Sequence, residues 1–405
     1  MTIQYIDLFA GCGGISLGLH KSGLQGLFAI EKNGDAFLTL KHNLIDTHKH
    51  FHWPTWLPIK NWNVNQLLNN EAIIRQLEAL RGTVDLIVGG PPCQGFSIAG
   101  KRKSYDDRNK LIDSYLRFVE AVQPRVILFE NVYGFTLKYP NSRNHKKVAY
   151  SDIVLGKLHQ MGYTDARGEM VDMSEYGVPQ RRKRFIVIAS KSNLADKIFE
   201  QLKKGRRAFF KARGLKKKNS ALDALSDLEY KHGTTQCPDS RNFMSGTASK
   251  PKTPLQKYLR EQLPDTEIYI PNSHRFVNHR DETAKLFSIL LETAPRNWPI
   301  NDSKERELYG IKKRSVTVLE PKEPVPTITT IPDDYVHYSE PRVMTVRECA
   351  RLQSFPDWFE FKGRYTTGGK ERKRSAPRYT QVGNAVPPLF AEQVGLAIRR
   401  VLLNS

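Results

Sequence analysis

Four short apolar runs that each end on reactive or turn-forming residues constrain this chain more than any other feature. Ile3 to Leu8 leads into Phe9-Ala10-Gly11-Cys12-Gly13-Gly14, and Leu27 to Ile30 leads into Glu31. Val84 to Val88 leads into Gly89-Gly90-Pro91-Pro92-Cys93, and Val126 to Phe129 into Glu130-Asn131. Ahead of the last run, Leu111, Tyr115, Phe118, Val119 and Val122 keep the spacing of an amphipathic helix. β-branched runs alternating with helical stripes predict a parallel sheet with crossover helices, in which Phe185 to Ala189 is a further strand. Open α/β sheets bind ligands beyond the carboxyl ends of their strands. The tips therefore predict one crevice holding a glycine turn, two carboxylates and a thiol.

The 405 residues include 63 Lys and Arg against 42 Asp and Glu, a formal charge of +21 that calls for a polyanionic partner. The excess is uneven: Gln201 to Ser220 holds nine basic residues and no acid, and Lys362 to Arg378 is similarly rich. A flexible solvated loop is the plain expectation for such a run. Cys12, Cys93, Cys237 and Cys349 lie far apart, which argues against both a disulfide framework and a zinc site. No apolar run approaches the roughly 20 residues of a membrane span, and the amino terminus reads as a strand, so a soluble cytoplasmic protein is expected. From 191 to 345 the alternation fades into basic runs, prolines and short apolar pieces, which predicts a separate, irregular, mostly β or loop region. Helical character returns at Val346 to Phe355 and Leu389 to Leu403, and the last helix is expected to dock back onto the first domain.

Gly11, Gly13 and Gly14 form a tight turn before a helix, although Ser16 stands where the dinucleotide fingerprint has its third glycine. Glu31 lies twenty residues after Gly11, where an acid accepts the two hydroxyls of a ribose, so nucleoside binding is favoured over a purely structural turn. In Pro91-Pro92-Cys93-Gln94-Gly95-Phe96-Ser97, two prolines stiffen the approach to a cysteine at a strand end. Lys101, Arg102, Lys103, Arg108 and Lys110 would favour its thiolate or hold phosphates, against the alternative of an inert buried thiol. Residues 44 to 62 look like an insertion with His48, His50, His52, Trp53 and Trp56. Without a cysteine or acid cluster, an exposed loop is expected there and no metal site.

Phe9-x-Gly11-x-Gly13-Gly14, Pro91 to Ser97, Glu130-Asn131-Val132, Gln180-x-Arg182-x-Arg184, Arg347-Glu348-Cys349-Ala350-Arg351-Leu352-Gln353-x-Phe355-Pro356 and Gly383-Asn384-Ala385-Val386-Pro387 resemble, in order, the motifs of the DNA (cytosine-5) methyltransferases of bacterial restriction–modification systems. The resemblance spans nearly the whole chain. It implies an α/β fold: a Rossmann-like S-adenosylmethionine-dependent methyltransferase domain over 1–190, completed by 376–405, and a smaller irregular target-recognition domain with a hinge over 191–375. It implies S-adenosyl-L-methionine as cofactor, double-stranded DNA as partner, a monomer in the bacterial cytoplasm, and a restriction endonuclease acting on the same site without direct contact.

The resemblance also assigns roles. Cys93 would add to C6 of cytosine, Glu130 would hold the N3 and amino edge, and Arg184, with Arg182 behind it, would hold the O2 side. Phe9 would contact adenine, Gly11, Gly13 and Gly14 the methionine part, and Glu31 the ribose, with Pro91 and Asn384 completing the cofactor site. Where the family has an Asp for the adenine amino group this chain has Asn63, whose carbonyl is expected to substitute. Gln94, Ser97, Arg108, Thr327 and Ile328 would face DNA, while Cys12 and Cys349 are expected to pack. A transfer RNA cytosine methyltransferase is the alternative within the same chemistry. A nicotinamide oxidoreductase explains the glycine turn and Glu31 but leaves Pro-Pro-Cys, the Gln-x-Arg-x-Arg run and the charge without a role. Intact Cys93 and Glu130 argue against a catalytically silent DNA-binding relative.

Overall fold

The apolar runs pair side by side as strands β1 (Gln4–Leu8), β2 (Gln25–Ile30), β3 (Leu86–Gly89) and β4 (Val126–Asn131). Strands β5 (Asp165–Asp172) and β6 (Lys183–Ser190) extend them into a six-stranded sheet of order β2-β1-β3-β4-β6-β5. This is a computed structural model that describes residues 2–91, 110–140, 147–264, 266, 269–367 and 375–405. The first four strands are parallel, as the alternation predicts, whereas β6 runs antiparallel to both β4 and β5. Strand β5 has no apolar run to announce it. It is an edge strand with most of its side chains at least partly exposed, so polar residues suffice.

Helix α1 (Gly14–Lys21) follows β1, and α2 (Lys110–Val122) carries the predicted stripe between β3 and β4. Tyr115, Phe118, Val119 and Val122 of α2 pack with Ile6, Leu8, Ile87, Ile127 and Phe129 of the sheet. On the far side of Phe118, Phe28 meets the rings of Trp53 and Trp56 at 6.2 and 5.7 Å. The stretch 44 to 62 is therefore only in part the exposed loop that its histidines suggest: His52 is exposed, but His50, Phe51 and Leu57 are buried and the two partly buried indoles pack against Phe28. His50 is 4% exposed, with Nε2 2.6 Å from the Tyr5 hydroxyl and Nδ1 3.0 Å from Nδ1 of His20. Burial pushes its pKa down to about 3 and keeps the ring neutral. Among the described residues no group of three or more His, Cys, Asp or Glu is arranged to hold a metal.

The chain divides into two compact units. The first comprises Met1–Asp172, Lys183–Arg207 and Phe390–Ser405, and the second Met173–Arg182 and Ala208–Leu389. These bounds do not coincide with 190 and 376. Ser190 Oγ and Asp165 Oδ2 accept the amides of Leu194 and Ala195, so the sheet runs straight on into helix α3 (Ala195–Arg213) and the division falls inside that helix. At the carboxyl terminus, Arg125 donates to Ser405 Oγ at 3.0 Å within the first unit.

Helix α3 corrects the expectation of a loop for the basic run as far as Arg213, while Lys216, Lys217 and Lys218 lie in the loop that follows. Its buried Ile198, Phe199, Leu202, Phe209 and Phe210 form an apolar stripe that the lysines mask in the sequence. The second unit is likewise more helical than expected. Beside small sheets it contains the 13-residue helix Asp281–Thr293 and the expected helix α4 (Val346–Leu352), followed by α5 (Arg378–Asn384). A last helix, α6 (Pro388–Leu403), ends the chain. No described helix is long and apolar enough to cross a membrane.

Candidate active site

Register places the strand tips at one edge: Leu8 pairs with Ile30 and Gly89, and Gly89 with Phe129. Phe9, Glu31 and Gly90 follow these tips out of the sheet, and Glu130 stands beside them near the end of β4, still paired with Ile186. Phe9 adopts φ 58°, a left-handed conformation that a bulky side chain holds only where its surroundings enforce it. Gly13 caps α1 at φ 95°, which an L side chain rarely adopts. Gly14 is the first residue of α1 and is buried.

Glu31 is held by two backbone amides, Gly11 N–H to Oε2 at 2.9 Å and Asn33 N–H to Oε1 at 2.6 Å. Burial raises its pKa in spite of those bonds. A side chain at Gly11 would meet nothing within 4 Å, so the turn borders open space. Beneath it lies a carboxylate that sequence reasoning missed. Asp7 is fully buried, Ser16 Oγ donates to its Oδ2 at 2.6 Å, and its Oδ1 has no hydrogen-bond partner. Burial pushes this carboxyl up to about 7. The available signal was Ser16 itself, where the glycine fingerprint fails.

At the tip of β4, Glu130 Oε1 lies 2.6 Å from Arg184 Nε, and each side chain is 13% exposed. The Nε–H is not aligned on the oxygen, so the contact is an ion pair without a well-formed hydrogen bond at that nitrogen. Asn131 accepts from Val132 N–H, and its buried Nδ2 has no partner. Arg182 differs from Arg184: it is 2% exposed and donates from Nη1 to the Gly383 carbonyl at 3.2 Å. That is an anchor to backbone, not a guanidinium presented to a base.

Asn63 caps the short helix Val64–Leu68, its Oδ1 accepting from Asn65 N–H at 3.0 Å, which leaves that oxygen one lone pair. Pro91 is buried. In the second unit Asn384 is exposed at the end of α5. Thr327 donates its hydroxyl to the Arg181 carbonyl at 2.8 Å, and Ile328 is 2% exposed. The isoleucine therefore faces the interior of its unit, and Thr329 is the exposed residue of this stretch. Cys93, Gln94, Ser97 and Arg108 lie outside the described residues. Cys12 and Cys349 are buried, and burial raises both thiol pKa values, Cys12 to about 12, as packing residues require.

Comparison with known proteins agrees with this architecture. The C-5 cytosine-specific DNA methylase family model matches residues 3–400. The Type II methyltransferase M.DdeI of Desulfomicrobium norvegicum is 30% identical over 403 residues, covering 96% of this chain and 87% of the relative. M.PspPI of a Psychrobacter species is 30% identical over 411 residues, covering 99% and 80%. A crystal structure described as a DNA modification methyltransferase encoded within an E. coli prophage superimposes with a TM-score of 0.67 at 25% identity, over 99% of this chain and 100% of that one. The Dnmt2 methyltransferase of S. pombe, at 14% identity and a TM-score of 0.51 over 99% of both chains, shares the fold. With its Rossmann-like α/β sheet, this chain belongs to the C-5 cytosine-specific DNA methylase family and is a DNA (cytosine-5-)-methyltransferase.

Proposed function

We propose that this enzyme transfers the methyl group of S-adenosyl-L-methionine to C5 of a cytosine flipped out of a specific short double-stranded DNA sequence, as the modification enzyme of a restriction–modification system. The observation that carries the reading is the Glu130–Arg184 pair, an acid and a guanidinium 2.6 Å apart at the strand edge that also holds Glu31 and the glycine turn. Base flipping is required because C5 and C6 of a stacked cytosine are inaccessible to a side chain.

The residues present suit the cofactor. Glu31 offers a fixed acceptor for ribose hydroxyls, Phe9 a ring for adenine, and the Gly11 turn open space beside backbone. The unpartnered Asp7 oxygen adds a buried acceptor beneath that turn. Gly13, Gly14, Asn63, Pro91 and Asn384 complete the set we assign to binding. Bound there, S-adenosyl-L-methionine supplies an electrophilic methyl group on a sulfonium.

The chain's own residues prepare the base. The Cys93 thiolate forms a bond to C6, and the C5–C6 π electrons move toward N3. Glu130, taking up a proton with the substrate, donates it to N3 and accepts from the exocyclic amino group, while Arg184 stabilises charge on the O2 side; the N3 proton returns to Glu130 as C5 takes the methyl group. C5 thereby becomes a carbon nucleophile. After methylation the C5 proton is lost to a base, and the electron pair released re-forms the C5–C6 double bond and expels the thiolate. Gln94, Ser97 and Arg108 contact DNA in this reading. The first unit performs the chemistry, and the second, with Thr327, serves target recognition, while the buried Ile328 packs beneath that stretch.

Methyl transfer to plasmid DNA, mapped by bisulfite sequencing, tests the reading. Cys93→Ser should lower transfer by orders of magnitude while DNA and cofactor still bind, because a serine hydroxyl is negligibly ionised near neutral pH. Glu130→Gln should reduce the chemical rate more than cofactor affinity. A serine variant of near wild-type turnover would overturn the mechanism, and preferential methylation of transfer RNA in direct competition would overturn the substrate.

A further inference from the structure

Gln180 opens the Gln-x-Arg-x-Arg run, and nothing in the proposed chemistry uses it. It is fully buried, and its Oε1 accepts the Ile328 backbone N–H at 2.8 Å. Its Nε2 donates to Gln353 Oε1 at 3.1 Å and to the Leu352 carbonyl at 3.3 Å. Gln353, also fully buried, donates in turn to the Val382 carbonyl at 2.8 Å and to that of Ala385 at 3.5 Å. The partners fix the orientation of both amides, since a backbone N–H must meet oxygen and a carbonyl must meet nitrogen. The result is a head-to-tail row running from Ile328 N–H through two side-chain amides to the backbone that flanks Asn384.

Two further contacts run alongside. Residues 325 and 326 pair in parallel with 180 and 181, and Arg182 donates to the Gly383 carbonyl. A Cβ at Gly383 would lie 2.3 Å from the Thr329 carbonyl oxygen, so the two backbones touch with no side chain between them. All these residues belong to the second unit. Dipoles aligned in such a row polarise one another, and a packed row with every amide hydrogen engaged has no slack to absorb displacement at one end.

We infer that Gln180 and Gln353 are positioning residues that couple DNA recognition at Thr327 to cofactor binding at Asn384. The inference rests on the roles proposed above for those two residues. Linkage makes the effect reciprocal: cognate DNA tightens the cofactor by the same factor as the cofactor tightens DNA, typically about 5- to 150-fold for a coupling of this kind.

The probe is S-adenosylhomocysteine, titrated calorimetrically into the full-length enzyme with and without a saturating duplex whose methylated site has been mapped by bisulfite sequencing. The wild type should show a ratio of at least ~5 between the two dissociation constants. In Gln180→Met/Gln353→Met, which keeps the length and shape of both side chains, the ratio should fall below ~2 with affinity in the absence of DNA little changed. Gln353→Asn retains an amide but withdraws it, and should give an intermediate ratio. A wild-type ratio near 1, or variants that keep the wild-type ratio, would overturn the coupling. Should the variants fold poorly, hydrogen exchange on the wild type decides: S-adenosylhomocysteine alone must slow exchange in the peptide spanning 328–330, and unchanged exchange overturns the inference. Failure of the functional reading looks different, because the wild type would then neither bind S-adenosylhomocysteine nor methylate the duplex.

Discussion

In the first unit Asp7 is buried with the Ser16 hydroxyl on one oxygen and nothing on the other, whereas the second unit surrounds its buried acids with guanidinium groups. Arg351 holds Asp357 through two bonds of 2.9 and 2.6 Å and also donates to Asp227 and to the Ala224 carbonyl. Arg342 grips Glu348 bidentately at 2.8 and 2.7 Å, and Glu348 closes the capping box of α4 with Thr345. Asp7 and Glu348 respond in opposite directions: burial pushes Asp7 up to about 7, while Arg342 holds Glu348 well below the usual carboxylate range; at Asp227 burial outweighs the guanidinium groups and the shift is upward. An acid satisfied by its own protein is framework. One left short of partners beside a ligand turn is available to what binds there.

The largest test of that contrast is Arg351→Met. It leaves Asp227 with Arg260 at 3.8 Å, and Asp357 with Arg347 at 3.8 Å and the Tyr269 hydroxyl, and should cost about 3–5 kcal/mol because neither acid keeps a guanidinium in hydrogen-bonding contact. Guanidinium unfolding of wild type and variant measures it, and a loss below about 1 kcal/mol would mean that the acids protonate or rearrange freely.

Next in size is Asp7→Asn, read as stability against pH. The folded-state pKa of about 7 lies above the unfolded value of 3.8, so the folded protein holds that proton more tightly. The corresponding stability is complete below pH ~4 and is lost as pH rises toward ~7. Asparagine carries no titrating proton and should flatten the profile across this window, a difference on the order of 4 kcal/mol at its upper end. An unchanged slope would show that Asp7 titrates normally, and the contrast between the units would fail on that side.

His274 and His337 of the second unit define the opposite window. Burial lowers them to about 4 and about 3, so both fold neutral, and their stabilisation is present above the unfolded value of 6.5 and lost as pH falls below it. His274→Gln, keeping a hydrogen-bonding side chain toward Thr345 and Leu228, should lessen acid sensitivity between pH 6.5 and about 4. An acid profile identical to the wild type would refute this.

The smallest effect belongs to the surface. Lys216 pairs with Asp223 at 2.7 Å and Lys218 with Glu323 at 2.6 Å, so their charge is already answered within the protein. Neutralising both should change the slope of log DNA affinity against log salt by less than the roughly 0.9 expected for one phosphate contact. A change near 1.8 would return both lysines to the DNA backbone.

Local chemistry made the sheet and the strand-tip residues legible. A β-branched run followed by a turn specifies a strand and what stands at its end, and both signals lie within about ten residues, so Phe9, Glu31 and Glu130 were readable as a set. Masked signals failed: the lysines of α3 hide its apolar stripe, and the edge strand β5 needs no apolar run. The motif around Arg351 was visible as a pattern without its meaning, since Asp227 stands 124 positions away in the chain.

The sequence by itself determined which residues can do chemistry and on which strand ends they stand, because propensity and turn geometry act between neighbours. Only the tertiary structure decided which of them are free to act. Arg182 and Arg184 are chemically identical and two positions apart, yet one is fixed to the Gly383 carbonyl and the other faces Glu130. Hydrogen-bond donors and acceptors carry no record in sequence of distant partners. Whether a buried polar group serves as framework or as site is therefore fixed by which chain segments folding brings within ~3 Å of it.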